Sequence, residues 1–148
     1  MPDRHGPMRT NRFRVEIDGL AAAGFRRVDL PGQETREARY REGNEKRPTE
    51  RSLTGGLNGG ADLVLERGVK KGETILADWY KMVEQGKLGE ARRVIAVVIL
   101  DEEGQAQLRY EFSNAWPKRY EPPTLDAMAG NVGTETLVVT YEDMQRVS

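Results

Sequence analysis

The sequence predicts a mainly β protein, a small β-sandwich or half-barrel with one flanking α-helix, and three observations carry that expectation. Apolar residues alternate with polar ones in several short runs, among them Phe13-Val15-Ile17, Leu63-Leu65 and Leu137-Val139-Tyr141, and a period of two puts each set on one face of a strand. A single stretch, Ile75 to Gln85, has its apolar residues at helical spacing, as an amphipathic helix requires. The most apolar run, Val94 to Leu100, lies one turn away from the longest alternating run, Leu108 to Trp116, so these two are expected to pair and be buried.

In chain order, residues 1–11 contain two prolines, a glycine and several charges and read as an N-terminal arm. Phe13 to Ile17 is a two-faced strand closed by Asp18-Gly19, and Phe25 to Leu30 a second strand ending at Pro31-Gly32. Glu34 to Arg41 is polar and reads as a strand that meets solvent or a neighbour. Glu42 to Gly60 holds five glycines and one proline with few apolar anchors, a loop length that is uncommon inside a compact domain. Alternation returns from Ala61 to Arg67. The helix follows, with Thr74 as its expected N-cap and Gly86 as its stop. Asp101 to Gly104 reads as a hairpin turn, and Pro117, which lacks a backbone donor, should end the next strand near Trp116. Leu125 to Ala129 is expected to form one helical turn, and Leu137 to Tyr141 a closing strand. Trp79 and Trp116 are expected to anchor the core.

At 148 residues the chain suits one domain. Twenty-three basic and twenty-four acidic residues leave a net charge of −1, which argues against a general nucleic-acid or membrane-surface binder while leaving room for local patches. The absence of cysteine excludes disulfides and thiolate chemistry. MPDRHGPMRTNR has no apolar signal-like core and no later run reaches membrane-spanning length, so the expectation is a chain without a membrane span, made in the cytoplasm.

Catalytic material is scarce. The one histidine, His5, lies in the arm, so nucleophile–histidine arrangements have nothing to draw on. Asp101, Glu102 and Glu103 lack the ligand spacing of a calcium loop and read as a solvated turn. The glycines at 55–56 and 59–60 are not followed by a phosphate-loop lysine. Arg36, Arg39, Arg41, Lys46, Arg47 and Arg51 are interleaved with Glu34, Glu37, Glu42, Glu45 and Glu50, and mixed charge of this kind suits protein contact better than phosphate. No cofactor or metal site is expected.

Ser113-Asn114-Ala115-Trp116-Pro117, then Arg119-Tyr120, then Glu135-Thr136-Leu137 running into Thr140-Tyr141-Glu142, resemble the tail tube proteins of contractile phage tails and related contractile injection systems. Phe13 to Gly19, Tyr40 to Asn44 and Leu65-Glu66-Arg67-Gly68 resemble the same family in the same order, so the likeness covers nearly the whole chain. It implies a single domain, residues 1–148, assembling into a hexameric ring in which each subunit gives four strands to a continuous inner β-barrel. Rings would stack head to tail into a hollow tube that a contracting sheath drives through a target envelope. The partners implied are further copies of the chain, a sheath protein, baseplate or initiator and tail terminator proteins, and cargo or genome in the lumen.

Residues 42–60 would then be an extended inter-subunit loop, with Tyr40, Arg41, Glu42, Asn44, Lys46, Arg47, Arg51, Leu53 and Leu57 as inter-subunit or inter-ring contacts. Arg109, Glu111, Ser113, Thr136, Thr140 and Glu142, on polar strand faces, are candidates for the lumen lining, and the helix is expected outside the barrel. Two other readings stay open: a baseplate tube initiator or type VI secretion ring protein of the same fold, and an isolated ligand-binding β-barrel.

Overall fold

The computed structural model describes residues 9–33, 62–130 and 132–148. The Glu34 to Arg41 segment, residues 42–60 and most of the N-terminal arm lie outside them. The described elements are β1 (Phe13–Ile17), β2 (Phe25–Asp29), β3 (Leu63–Gly68), α1 (Ile75–Glu84), α2 (Leu88–Ala91), β4 (Arg93–Leu100), β5 (Ala106–Glu121), β6 (Thr134–Thr140) and β7 (Asp143–Arg146). All strand pairs are antiparallel, in the order β1-β4-β5-β6-β3-β2, with β7 also on β5.

β5 is the element that shapes this order. Its first part pairs with β4 on one side and β7 on the other, whereas Trp116 to Glu121 pair with β6. The result is two four-stranded halves that share one strand: β1-β4-β5-β7, called sheet 1, and β5-β6-β3-β2, called sheet 2. The bend between them lies at Asn114, whose φ is +51°. There β5 places two residues, Ser113 and Asn114, against Val94 alone, because Phe112 pairs with Ile95 and Ala115 with Arg93. A bulge of this kind kinks a strand and turns its later side chains, and Asn tolerates the left-handed region better than most residues. The Asn114 side chain donates to Glu142 Oε1 at 2.9 Å across the bend.

This bend corrects three expectations. The strand does not stop near Trp116 but continues to Glu121, since Pro117 sits beside a second register shift, a position that tolerates the missing donor. The parity expected along Leu108 to Trp116 is broken by the bulge, so Ala115 and Pro117 are buried and Trp116 is only half-buried, packed against the core from its margin. Val94, facing the bulge, is 45% exposed, while Ile95 to Ile99 are buried as expected.

The core lies between the two sheets and α1. Val15, Ile17, Ile95, Val97 and Phe112 come from sheet 1, Leu63, Leu65, Leu137 and Val139 from sheet 2, and Leu76 and Trp79 from the helix. Trp79 is the anchor the sequence led us to expect: it is 1% exposed, and its indole N–H donates to the Ala91 carbonyl at 2.7 Å. That acceptor belongs to α2, a one-turn helix too short to leave a periodic signal. At the end of α1, Gly86 (φ +80°) donates to Val83 O and Lys87 to Met82 O, the paired bonds of a Schellman stop. Thr74 does stand at the N-cap, but its hydroxyl donates to Asp78 Oδ2 and caps no backbone N–H. Asp101 organises its turn, accepting the N–H groups of Glu103 and Gln105 at 2.8 Å. Leu125 to Ala129 is a turn, not a helix: Asp126 accepts from Met128 N through its side chain and from Ala129 N through its carbonyl, and the local polar bonds compete with helix formation.

If the φ of residue 114 carries the bend, Asn114→Val should lower unfolding stability by about 1–2 kcal/mol. Asn114→Gly should cost less, losing the Glu142 bond but no backbone freedom it needs. Urea unfolding of the three proteins checks the ranking.

Candidate assembly surfaces and the buried charge cluster

On β3 the inward positions read Leu63, Leu65, Arg67, and on β6 they read Glu135, Leu137, Val139. Arg67 and Glu135 are direct cross-strand partners, so the register itself brings a cation and an anion together inside the protein. Arg67 is wholly buried and Glu135 5% exposed. The guanidinium donates from Nε to Glu135 Oε2 at 2.8 Å, from Nη1 to the Ala23 carbonyl at 3.1 Å, and from both terminal nitrogens to the carboxylate of Glu73. The Tyr120 hydroxyl donates to the other Glu135 oxygen at 2.7 Å. The Phe25 ring lies 5.8 Å from the guanidinium carbon.

Electrostatics follow from this packing. Burial opposes the charge on Arg67, but the hydrogen bonds to Glu73 and Glu135 outweigh it, and the guanidinium holds its proton more tightly than usual. Burial, then the Glu135 carboxylate, push the Tyr120 hydroxyl up to about 12. The cluster ties β3, β5 and β6 to the β1–β2 connection and to the segment leading into α1. It is a structural tie, with its charged atoms engaged by one another. No sequence reading singled it out as a site. Its signal is nonetheless in the sequence, as opposite charges at the inward positions of two alternating runs.

The outward faces of the two sheets are separate surfaces. On sheet 1, Arg14, Glu16, Arg109 and Glu111 form a ladder over the buried side chains of Ala96 and Val98: Arg14 Nε to Glu16 at 2.8 Å, Arg109 to Glu16 at 3.3 Å and to Glu111 at 2.9 Å. The Arg14 hydrogen bond draws the Glu16 carboxyl below its ordinary value. On sheet 2, the outward register positions carry Arg27, Asp29, Val64, Glu66, Thr136, Val138, Thr140, Arg119 and Glu121. Charges there are matched locally: Arg27 with Asp29 at 3.2 Å, Lys118 with Asp62 at 3.0 Å, and Arg119 with Glu121.

The six candidate lining residues therefore do not share one surface. Arg109 and Glu111 lie on sheet 1, Thr136 and Thr140 on sheet 2, and Ser113 and Glu142 at the bend, where Glu142 N donates to Ser113 O. The candidate contact residues Tyr40, Arg41, Glu42, Asn44, Lys46, Arg47, Arg51, Leu53 and Leu57 lie outside the described residues. Among the described residues no cluster of acidic or histidine side chains is placed to hold a metal ion.

The family model for the T4-like virus tail tube protein gp19 matches residues 9–145. The chain belongs to that tail tube family. Its strands, bend and buried cluster are thus those of a structural tube protein, and Arg67, Tyr120 and Glu135 all come from the segments on which the resemblance rests. No curated protein is significantly similar to this tail tube chain in sequence. Solved structures are similar in fold. A chain of the extracellular contractile injection system PVC, from its sheath/tube terminator in the extended state, superposes with a TM-score of 0.71 at 20% identity, covering 99% of this chain and 100% of that one. A chain of the anti-feeding prophage baseplate gives 0.67 at 22% identity, covering 96% of both. Hcp1 from Flavobacterium johnsoniae gives 0.56 at 17% identity, covering 90% of this chain and 93% of that one.

Removing one partner of a buried ion pair strands the other, so Arg67→Ala should cost about 3–5 kcal/mol, and Arg67→Met with Glu135→Leu together should cost less than Arg67→Ala alone. Chemical denaturation checks both. Tyr120 keeps its proton longer folded than unfolded, so its contribution is complete below about pH 10 and is lost as pH rises toward about 12. Stability should fall across that window, and less steeply in Tyr120→Phe, as followed by melting temperature against pH.

Proposed function

We propose that this chain is the repeating subunit of the inner tube of a contractile tail or contractile injection system. In this reading six copies close into a ring, rings stack into a hollow tube, and sheath contraction drives the tube through a target envelope with genome or protein cargo in its lumen. The observation that carries the ring is sheet 2: four strands, with β2 and the Trp116 to Glu121 part of β5 as its two outer edges among the described residues. Open edges of this kind invite pairing with another chain.

An even number of antiparallel strands lets identical subunits continue the up–down alternation across each junction, so β2 of one copy meets β5 of the next as another antiparallel pair. Six such sheets give twenty-four strands. With strands about 4.8 Å apart and tilted about 40°, the backbone wall would be about 45–50 Å across, wide enough to keep an open bore. The outward face of sheet 2 then lines the lumen, with Thr136 and Thr140 on it, and sheet 1 and α1 lie outside. Arg109 and Glu111, on sheet 1, are reassigned from the lumen to the outer side.

The role is mechanical and conductive, with no catalysis and no cofactor. Sheath, baseplate and terminator are the partners this reading gives it, supported by the similar chains from the PVC sheath/tube terminator and the anti-feeding prophage baseplate. Among the described residues no helix is long and apolar enough to cross a membrane. The baseplate likeness also keeps the initiator reading in view, in which a few rings form instead of a long tube.

Negative-stain microscopy over a concentration series, with mass photometry, should show rings of six-subunit mass and tubes of uniform width; a few rings at most would favour the initiator. The edge pairing has its own check, since the chain has no cysteine. Within one subunit β2 and β5 are separated by β3 and β6, about 14 Å, beyond the reach of a disulfide. Arg27→Cys combined with single cysteines along 117–121 should therefore give crosslinked ladders up to hexamer on oxidation. A panel yielding only monomer from assembled rings would sink this closure.

A further inference from the structure

The connection between β5 and β6 holds the most exposed large apolar side chains among the described residues. Leu125 is 90% exposed, Met128 93% and Val132 73%, whereas the next, Val69, is 46%. The connection is also shaped: Pro122 and Pro123 end β5, and Asp126 fixes the turn carrying Met128 through bonds to Met128 N and Ala129 N. Three apolar side chains displayed along one connection mark a contact surface more than a solvated loop.

We propose that Leu125, Met128 and Val132 are an axial stacking contact, seating each ring on a second copy of the ring. This rests on the tube reading above and adds to it where the contact lies. The register places the connection at one end of sheet 2: Thr134 pairs with Gly68, Glu121 with Thr136, and Val69 N donates to Gly133 O. The opposite end carries Asp29 beside Val64, Leu63 beside Val139 and Trp116 beside Thr140. When the sheet is one sixth of a barrel whose strands run obliquely along the axis, its two ends are the two rims of the ring. A connection leaving a lining strand emerges at a rim, where its neighbour is the next ring and not the sheath or the cargo. The occupant is therefore another copy of this chain.

The contact is heterologous, one rim against the other, which is the kind that propagates an open filament. On the receiving rim the described residues offer Leu30, which follows β2 and is 37% exposed. That end is also where the chain leaves the described part at Gln33 and returns at Asp62.

The test is a triple variant, Leu125→Ser, Met128→Ser and Val132→Ser, compared with the unmodified chain and with Val147→Ser, an exposed apolar residue whose N–H donates to Arg109 O near the opposite end of β5. The readouts are ring mass by mass photometry, tube length by negative-stain microscopy and folding by thermal melting. The expected result is an unchanged melt and ring mass with mean tube length shortened at least tenfold in the triple variant and unaltered in Val147→Ser. Tubes of normal length from the triple variant would overturn the proposal, as would loss of the rings themselves, which would make the turn a lateral or folding contact. If the unmodified chain forms no ring, the tube reading fails first, and that outcome is visible without any variant.

Discussion

The fold depends on a buried cation. Arg67 sits where alternation along β3 calls for an apolar side chain, and a guanidinium there is tolerable only with each of its faces and hydrogens occupied. Its partners come from every direction: Glu135 across the strand pair, Glu73 ahead of α1, the Ala23 carbonyl ahead of β2, and the Phe25 ring. A one-residue slip between β3 and β6 would put Arg67 and Glu135 on opposite faces and turn the apolar set of the slipped strand toward solvent. The cluster therefore acts on register as much as on stability. The ring proposed above, in which strand edges meet those of identical neighbours, would need that register held the same in every copy.

The second constraint is the bend in β5. A straight sixteen-residue strand would make one flat sheet with a single apolar face and nothing to close over it. The bulge at Ser113-Asn114 turns the strand so that its two parts face one another across a shared core, with Phe112 and Tyr141 meeting edge to face at 5.2 Å beside the bend. The same turn leaves the edge of β5 beyond Ala115 without β4, since β4 begins at Arg93 opposite Ala115. One local departure from regular pairing thus produces both the closed core of the subunit and the open edge through which subunits are proposed to join.

Much of this was legible beforehand, and the failures have physical causes. β1, β3, α1 with its glycine stop, and the Asp101 turn were read from period and turn chemistry because there local preference and tertiary packing agree. The long strand was misread at Trp116 and Pro117 because a period of two carries no warning of a bulge: Asn114 shifts the parity, and a register shift shelters the proline. Leu125 to Ala129 lacked packing partners, so a weak helical preference gave way to the bonds of Asp126. The candidate lining residues were gathered from polar faces of two strands, and alternation identifies a face without saying which sheet it belongs to. The Arg67 cluster was hidden for the opposite reason, since charges in a run of alternation are ordinarily assigned to solvent.

The polar face of sheet 2 shows how such a wall would treat its cargo. Three of its basic side chains, Arg27, Lys118 and Arg119, are each paired with an acid on the same face, whereas Arg26 and Glu66, both at the β2 bulge, are not part of such a pair among the described residues. Exposed pairs of this kind add little stability, about 0–1 kcal/mol each, so stability alone does not account for the pattern. What they do is cancel field: opposite charges a few ångströms apart present almost no net potential to a body sliding past at a distance set by a Debye length of about 8 Å. A conduit works when cargo is held weakly and evenly along its length, and if this face lines the proposed lumen, its three matched pairs with threonine and valine between them would suit cargo of either sign.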